Sequence, residues 1–319
     1  MKRLILLLIV FSSLYACKKD NKIDSEISNI DIDFTVERFD RIFAESNPSD
    51  LKKLKRDYPF LFSDRYPDSL WVSRMTDTLQ QQLYNETNNV FRDFKEEKQG
   101  ITQLFQHVKF YFPEFKTPRV ITVTSNVDYR NKVIVTDSIV LISLDTYLGE
   151  NHEFYEGIQY YIKHNFYASQ ISPDLAAEYA KKYVYQVDKK TLLDEMIYFG
   201  KILYFKDVVL PFKTDAEKIG YSQEKLNWAI ANESEIWRNF IENELLYSTD
   251  SKLPSRFINP APFSKFYLEL DSESPGRIGQ YMGWQIVRAY MKNTDTSLNK
   301  MLITNADDIF KQSKFKPRK

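Results

Sequence analysis

The chain has 319 residues, with 44 Lys and Arg against 44 Asp and Glu, and aromatic residues make up 15% of it. A balanced charge without a basic stripe argues against a nucleic-acid partner, and 21 Tyr and 23 Phe beside only 8 Gly point to an ordered, core-rich body. The single cysteine excludes an internal disulfide and a multi-thiolate metal site.

Met1-Lys2-Arg3 is a basic start, and residues 4–11 (LILLLIVF) are an unbroken apolar run. That run is too short for a membrane-spanning helix, which needs about 20 residues, and fits the core of a secretory signal. Leu14-Tyr15-Ala16-Cys17 then has the pattern of a lipobox, with an aliphatic residue, a small residue and the cysteine in order. Residues 1–16 are therefore expected to be removed, and Cys17 to be the lipidation site. Its thiol takes diacylglycerol and its freed amine a further acyl chain; two or more chains give a stable anchor where one is marginal. The membrane is thus an expected partner, engaged through the lipid. Loss of Lys2 and Arg3 leaves 42 basic against 44 acidic side chains, from 44 of each. Residues 17–30 read as the lipidated cysteine and a polar tether (KKDNKIDSEISNI after Cys17). Lys18 is not the aspartate that retains lipoproteins in an inner membrane, and Asp20 stands alone between Lys19 and Asn21. The expected location is the outer membrane, lipid-anchored and facing the periplasm.

Helices and strands mix from residue 31 to 144. Ile32, Phe34 and Val36 alternate with polar residues as a short strand does. Residues 42–58 and 69–96 have amphipathic helical periodicity. Residues 92–107 continue it, with Phe91, Phe94, Ile101, Leu104 and Phe105 as core positions. Three apolar runs follow at 119–125, 133–135 and 139–143, punctuated by Asn126, Asp128, Asn131 and Asp137, and predict a small antiparallel sheet. From Tyr147 the chain reads as mainly helical: an aromatic-rich stretch at 154–167, residues 174–185 behind Pro173, the strongly apolar 192–205, then 222–230 and 234–246. Residues 255–271 contain Pro260 and Pro262 and read as loop or extended chain, strand-like over 266–270, before a helix over 275–291. No repeat or long linker interrupts residues 31–319. One α+β domain is expected, a small antiparallel sheet followed by a mainly helical half.

The histidines, His107, His152 and His164, form no His-x-x-x-His pair, so one helical turn cannot offer two imidazoles to zinc. Each is expected in an ordinary structural or solvated role. No G-x-S-x-G elbow is present, so motifs give a hydrolase no support. Asp194 and Glu195 are the most suggestive acidic pair. Neighbours on a helix point about 100° apart, so Glu195 shares its face with Tyr198 and Phe199 rather than with Asp194. A polar patch joining Asp194 or Glu195 to Lys201 or Lys190 is the plainer account. Asp271, Glu273 and Glu269 form a second acidic cluster, which solvation explains. The run from Pro275 through Gly276, Arg277 and Gly279 to Gly283 opens a helix, and such a start can hold an anion. Its glycine spacing matches neither a dinucleotide fingerprint nor a Walker loop. Gly279 and Gly283 are better explained by close approach of another element, with Trp284, Ile286, Val287 and Tyr290 as a buried stripe.

Several runs resemble the gliding-motility lipoproteins of the GldB type: residues 191–205 (TLLDEMIYFGKILYF), 256–266 (RFINPAPFSKF), 274–291 (SPGRIGQYMGWQIVRAYM) and the closing Ser313-Lys314-Phe315-Lys316-Pro317. The resemblance covers nearly the whole chain, Cys17 included. It implies an outer-membrane-associated lipoprotein required for gliding over surfaces, working with type IX secretion and mobile adhesins. More distantly, residues 279–287 resemble a late run in predicted zinc peptidases that carry an H-E-x-x-H helix. In one alignment Asp194 and Tyr198 stand where those histidines belong; in another Phe199 replaces a ligand glutamate before Gly200. The resemblance implies a degenerate zincin-like scaffold without metal or cofactor, used for binding. Its expected cleft comprises Asp194, Glu195, Tyr198, Lys201, Arg277 and Trp284, and its expected partners are proteins of the gliding or secretion machinery. The alternative is a periplasmic hydrolase acting on cell-envelope material.

Overall fold

The computed structural model describes residues 23–186 and 190–319. The signal segment, Cys17 and the first part of the expected tether lie outside the described residues. The later part of that tether is not free chain. Residues 23–28 are helical, Ile27 is buried, and Gln106 Nε2 donates to the carbonyls of Ser28 and Ile30.

Strand β1 (Val36–Arg38) leads into helices α1 (Phe39–Ala44), α2 (Leu51–Asp57), α3 (Asp68–Thr76), α4 (Thr78–Val90) and α5 (Lys95–Tyr111). The expected strand around Ile32 thus begins later, and Phe34 instead packs its ring on Phe105. The helix expected over 69–96 is broken at Asp77, which adopts extended backbone and caps α4 by accepting from the Gln80 amide. An aspartate there offers the backbone a capping alternative to continued helix. Phe94, in the left-handed region, makes the second break before α5.

Strands β2 (Arg119–Val123), β3 (Val133–Val135) and β4 (Ile139–Ser143) complete a four-stranded sheet of order β1-β2-β4-β3. The expected antiparallel sheet is in fact mixed. β1 pairs with β2, and β2 with β4, in parallel; β3 and β4 alone are antiparallel. The loop between β2 and β3 allows this by carrying the chain past the position that β4 takes. Asp145, fully buried just after β4, anchors the loop by accepting from the backbone amides of Ser125 and Val127. Both faces of the sheet are covered. Val120, Val140 and Ile142 join the core beneath α5 and the later helix Ile171–Tyr183, while Ile121 joins Phe39, Leu51, Phe62 and Trp71 on the other side. Strands buried on both faces read as near-continuous apolar runs; IVLI is such a run, and VITV is broken only by Thr122, which is buried and donates to Asp40.

The second half is helical, as expected: α6 (Tyr160–Lys163), α7 (Ile171–Tyr183), α8 (Leu192–Val209), α9 (Asp215–Ile219), α10 (Gln223–Ala231), α11 (Glu233–Glu242), α12 (Leu253–Phe257), α13 (Ile278–Asn293), α14 (Leu298–Ile303) and α15 (Ala306–Ser313). Residues 154–167 are mostly turns around the short α6, and they bury Tyr155 and Phe166 edge-to-face. Residues 266–270 form no strand. The class remains α+β. α8 carries apolar residues all round its axis, with its few charged residues in caps and ion pairs or on backbone carbonyls, because other elements surround it. Among the described residues, no helix is long and apolar enough to cross a membrane.

Candidate functional site

Helices α8 and α13 form the centre of the helical half, and their contact rests on glycine. A Cβ on Gly200 would lie 2.4 Å from the Gly283 carbonyl group, and one on Gly283 would lie 1.8 Å from the Met196 oxygen. Side chains at either point would force the backbones apart. Close approach accounts for Gly279 as well, where a Cβ would meet Ile258 and Phe257.

The six expected cleft residues divide among three places. Asp194, Tyr198 and Lys201 line one small depression with Tyr185 and Asn305. Asp194 is engaged at the helix start: its Oδ2 accepts from the amide and hydroxyl of Thr191, both at 2.8 Å, closing a capping box. Glu195 stands 3.7 Å from Lys190. Lys201 is buried and donates to the carbonyls of Leu302 at 3.0 Å and Thr304 at 2.6 Å, so it ties α8 to the end of α14. Burial lowers its pKa to about 8.

Trp284 is fully buried in a second place. Its indole N–H donates to Asp207, and Arg288 stacks on its ring at 3.7 Å. The Arg288 guanidinium is forked onto both Asp207 and Asp215. Burial opposes that charge, but the two carboxylates hold the arginine more firmly protonated than usual. This is a braced support between α8, α9 and α13, with no open face at Trp284.

Arg277 occupies the third place, a cleft of about 190 Å³ that it lines with Tyr160, His164, Tyr221 and Lys225. Arg277 precedes α13 in the left-handed region. The helix start is satisfied from elsewhere: the buried Ser264 hydroxyl accepts from the Ile278 amide and donates to the Pro275 carbonyl. That leaves the Arg277 side chain to the cleft. One Nη donates to the Gly220 carbonyl at 2.9 Å, and the guanidinium lies over the Tyr221 ring. Lys225 reaches only the carbonyls of Glu273 and Ser274. Burial lowers the Arg277 pKa, and the Tyr221 hydroxyl, which burial pushes up, donates to Gly276.

The histidines stay apart. His107 Nδ1 faces the Gln103 carbonyl. His152 accepts from the Phe154 amide and reaches Glu86 through its other nitrogen. His164 has the carbonyls of Tyr161 and Gly220 at its two ring nitrogens. Burial lowers the pKa of both His107 and His164. Among the described residues, no three His, Cys, Asp or Glu side chains are grouped to hold a metal. The peptidase resemblance grouped the α8 residues with Arg277 and Trp284 but left out Tyr160, Tyr221 and Lys225, which come from distant segments and carry no motif.

Comparison with curated proteins and comparison with solved structures both gave no match. The family model described as gliding motility protein GldB matches residues 20–317, nearly the whole length, and the chain belongs to that family of gliding-motility lipoproteins.

Proposed function

We propose that the protein is a non-catalytic binding component of the gliding machinery, lipid-anchored at Cys17 in the outer membrane and facing the periplasm. Its partners are proteins of the gliding or type IX secretion apparatus, and its peptidase-like layout serves as a scaffold. The observation that carries this reading is the condition of α8. Asp194, at a position where the distant peptidase resemblance would place a ligand, is taken up by the capping box, and the nearby Lys201 by two carbonyls. These groups are occupied in holding the helices rather than offered to a substrate, while Arg277 and Lys225 line a separate cleft.

The test is colony spreading in a deletion strain complemented with wild type, Cys17→Ala or Glu195→Ala. Spreading is expected to be lost on deletion, restored by wild type and by Glu195→Ala, and not restored by Cys17→Ala, which mild washing should release from membranes. Failure of a normally folded Glu195→Ala to restore spreading would support the hydrolase instead. Normal spreading of the deletion strain would overturn the motility role of this protein.

A further inference from the structure

Among the described residues, several charged side chains of the interior are held in ion pairs. Arg288 holds two carboxylates, Arg38 holds Asp40 and Lys132 holds Asp174. Among the described residues Lys201 and Lys206 have no carboxylate partner; Lys201 closes on two backbone carbonyls and Lys206 on one. Arg277 differs because it lines an open cleft. Among the described residues its guanidinium makes one hydrogen bond, to Gly220, and one ring contact, to Tyr221. A guanidinium presents five N–H donors in a planar fork, and withdrawing such a charge from water is unfavourable unless it is paired. Lys225, on the same cleft, likewise meets carbonyls alone. Arg277 and Lys225 thus line one space without an ion pair among the described residues, and Glu224 is the one acidic residue on that lining.

The walls restrict what would complete them. Tyr160, Tyr221 and Pro262 provide rings against which an apolar or planar body can lie. A cavity of roughly 150 Å³ accommodates benzene, so about 190 Å³ has room for one amino-acid residue. A bare phosphate would leave the ring walls uncovered. The planar fork matches a carboxylate in two-point contact, and capture of a terminal carboxylate is a recurrent mode of peptide recognition. We infer that the cleft at Arg277 receives the free carboxylate of a peptide's terminal residue, with that residue's side chain against the tyrosines. This rests on the binding role proposed above and names the ligand class for it.

The lipidated protein in detergent micelles, titrated with an acetylated tripeptide ending in phenylalanine, tests the assignment. The free acid is expected to bind about tenfold or more tightly than the C-terminal amide. Arg277→Gln removes the guanidinium while the Gly220 carbonyl keeps Asn165 as a donor, and it is expected to lose about the same factor, while Lys225→Gln loses a smaller one. Equal binding of acid and amide, no binding of the acid at millimolar concentration, or wild-type affinity in a folded Arg277→Gln would overturn the inference. If Arg277→Gln does not fold, the acid–amide comparison and Lys225→Gln decide it. Peptides with an L or a D terminal residue then separate protein C-termini from cell-wall peptides as the source, and a preference for either supports the assignment. Loss of spreading on deletion without peptide binding would remove the cleft assignment and leave the membrane-anchored binding role in place.

Discussion

Lys201 and Lys206 stand on the same central helix, and burial lowers both ammonium groups to about 8. An unfolded lysine titrates near 10.4. Between those values the unfolded chain binds more protons than the folded one, so stability rises with pH across that window. The unfavourable contribution is therefore fully present below pH 8 and is relieved toward about pH 10. Lys201→Met removes its share of that pH dependence and leaves the part due to Lys206, with the Leu302 and Thr304 carbonyls losing their donor. Urea midpoints at pH 8 and pH 10 are expected to show the wild type gaining roughly 2 kcal/mol more than Lys201→Met over this interval. Equal gains in the two proteins would mean that Lys201 is not the source. In the sequence, Lys201 is only a charge in an apolar helix. Helical spacing places it with Asp194 and Tyr198, but its carbonyl partners lie about a hundred positions away, where no local pattern points.

At the scale of elements, the contact of α8 with α13 was legible as a tendency. Glycines inside an apolar helix announced a close neighbour, though not which helix it would be. Alanine favours a helix interior over glycine by about 1 kcal/mol, so an unpacked site would gain from Gly→Ala. At Gly283 the added methyl would sit on the Met196 carbonyl, which is backbone and cannot turn aside; at Gly279 the nearest atom is the flexible end of Ile258. Gly283→Ala is expected to destabilise by about 3 kcal/mol or more, and Gly279→Ala by clearly less. Thermal melting of the two variants beside wild type checks the order, and a Gly283→Ala protein as stable as wild type would contradict the packing. The sheet was less legible. Short runs separated by turn residues look like consecutive hairpins, but β4 enters between β2 and β3. The one local signal was the near-continuous apolar character of VITV and IVLI, which marks strands covered on both faces. Residues 154–167 misled in another way, since aromatic residues at near-helical spacing also serve to plug a core from successive turns.

At the scale of the whole molecule, the lipid proposed on Cys17 and the docking of residues 23–30 on α5 set a short leash. Six peptide links separate Cys17 from residue 23, and a chain of that length reaches at most about 20 Å. Reading residues 17–30 as one tether gave more than twice as many links; Ile27 and the two carbonyls that meet Gln106 shorten it, and only the folded α5 reveals them. The Arg277 cleft was illegible for the same kind of reason, being assembled from α6, the α9–α10 junction and the start of α13. If the partner also sits at the membrane, the short leash raises its effective concentration, and a longer flexible linker dilutes it. Inserting a Gly/Ser segment of about 20 residues after Lys22 should extend the r.m.s. reach by roughly 25 Å. Spreading is expected to fall, while membrane fractionation and peptide binding in micelles stay as in wild type, because neither the lipid nor the fold is altered. Undiminished spreading with the long linker would mean that the partner is not confined near the bilayer, and would shift the search to envelope proteins that extend into the periplasm.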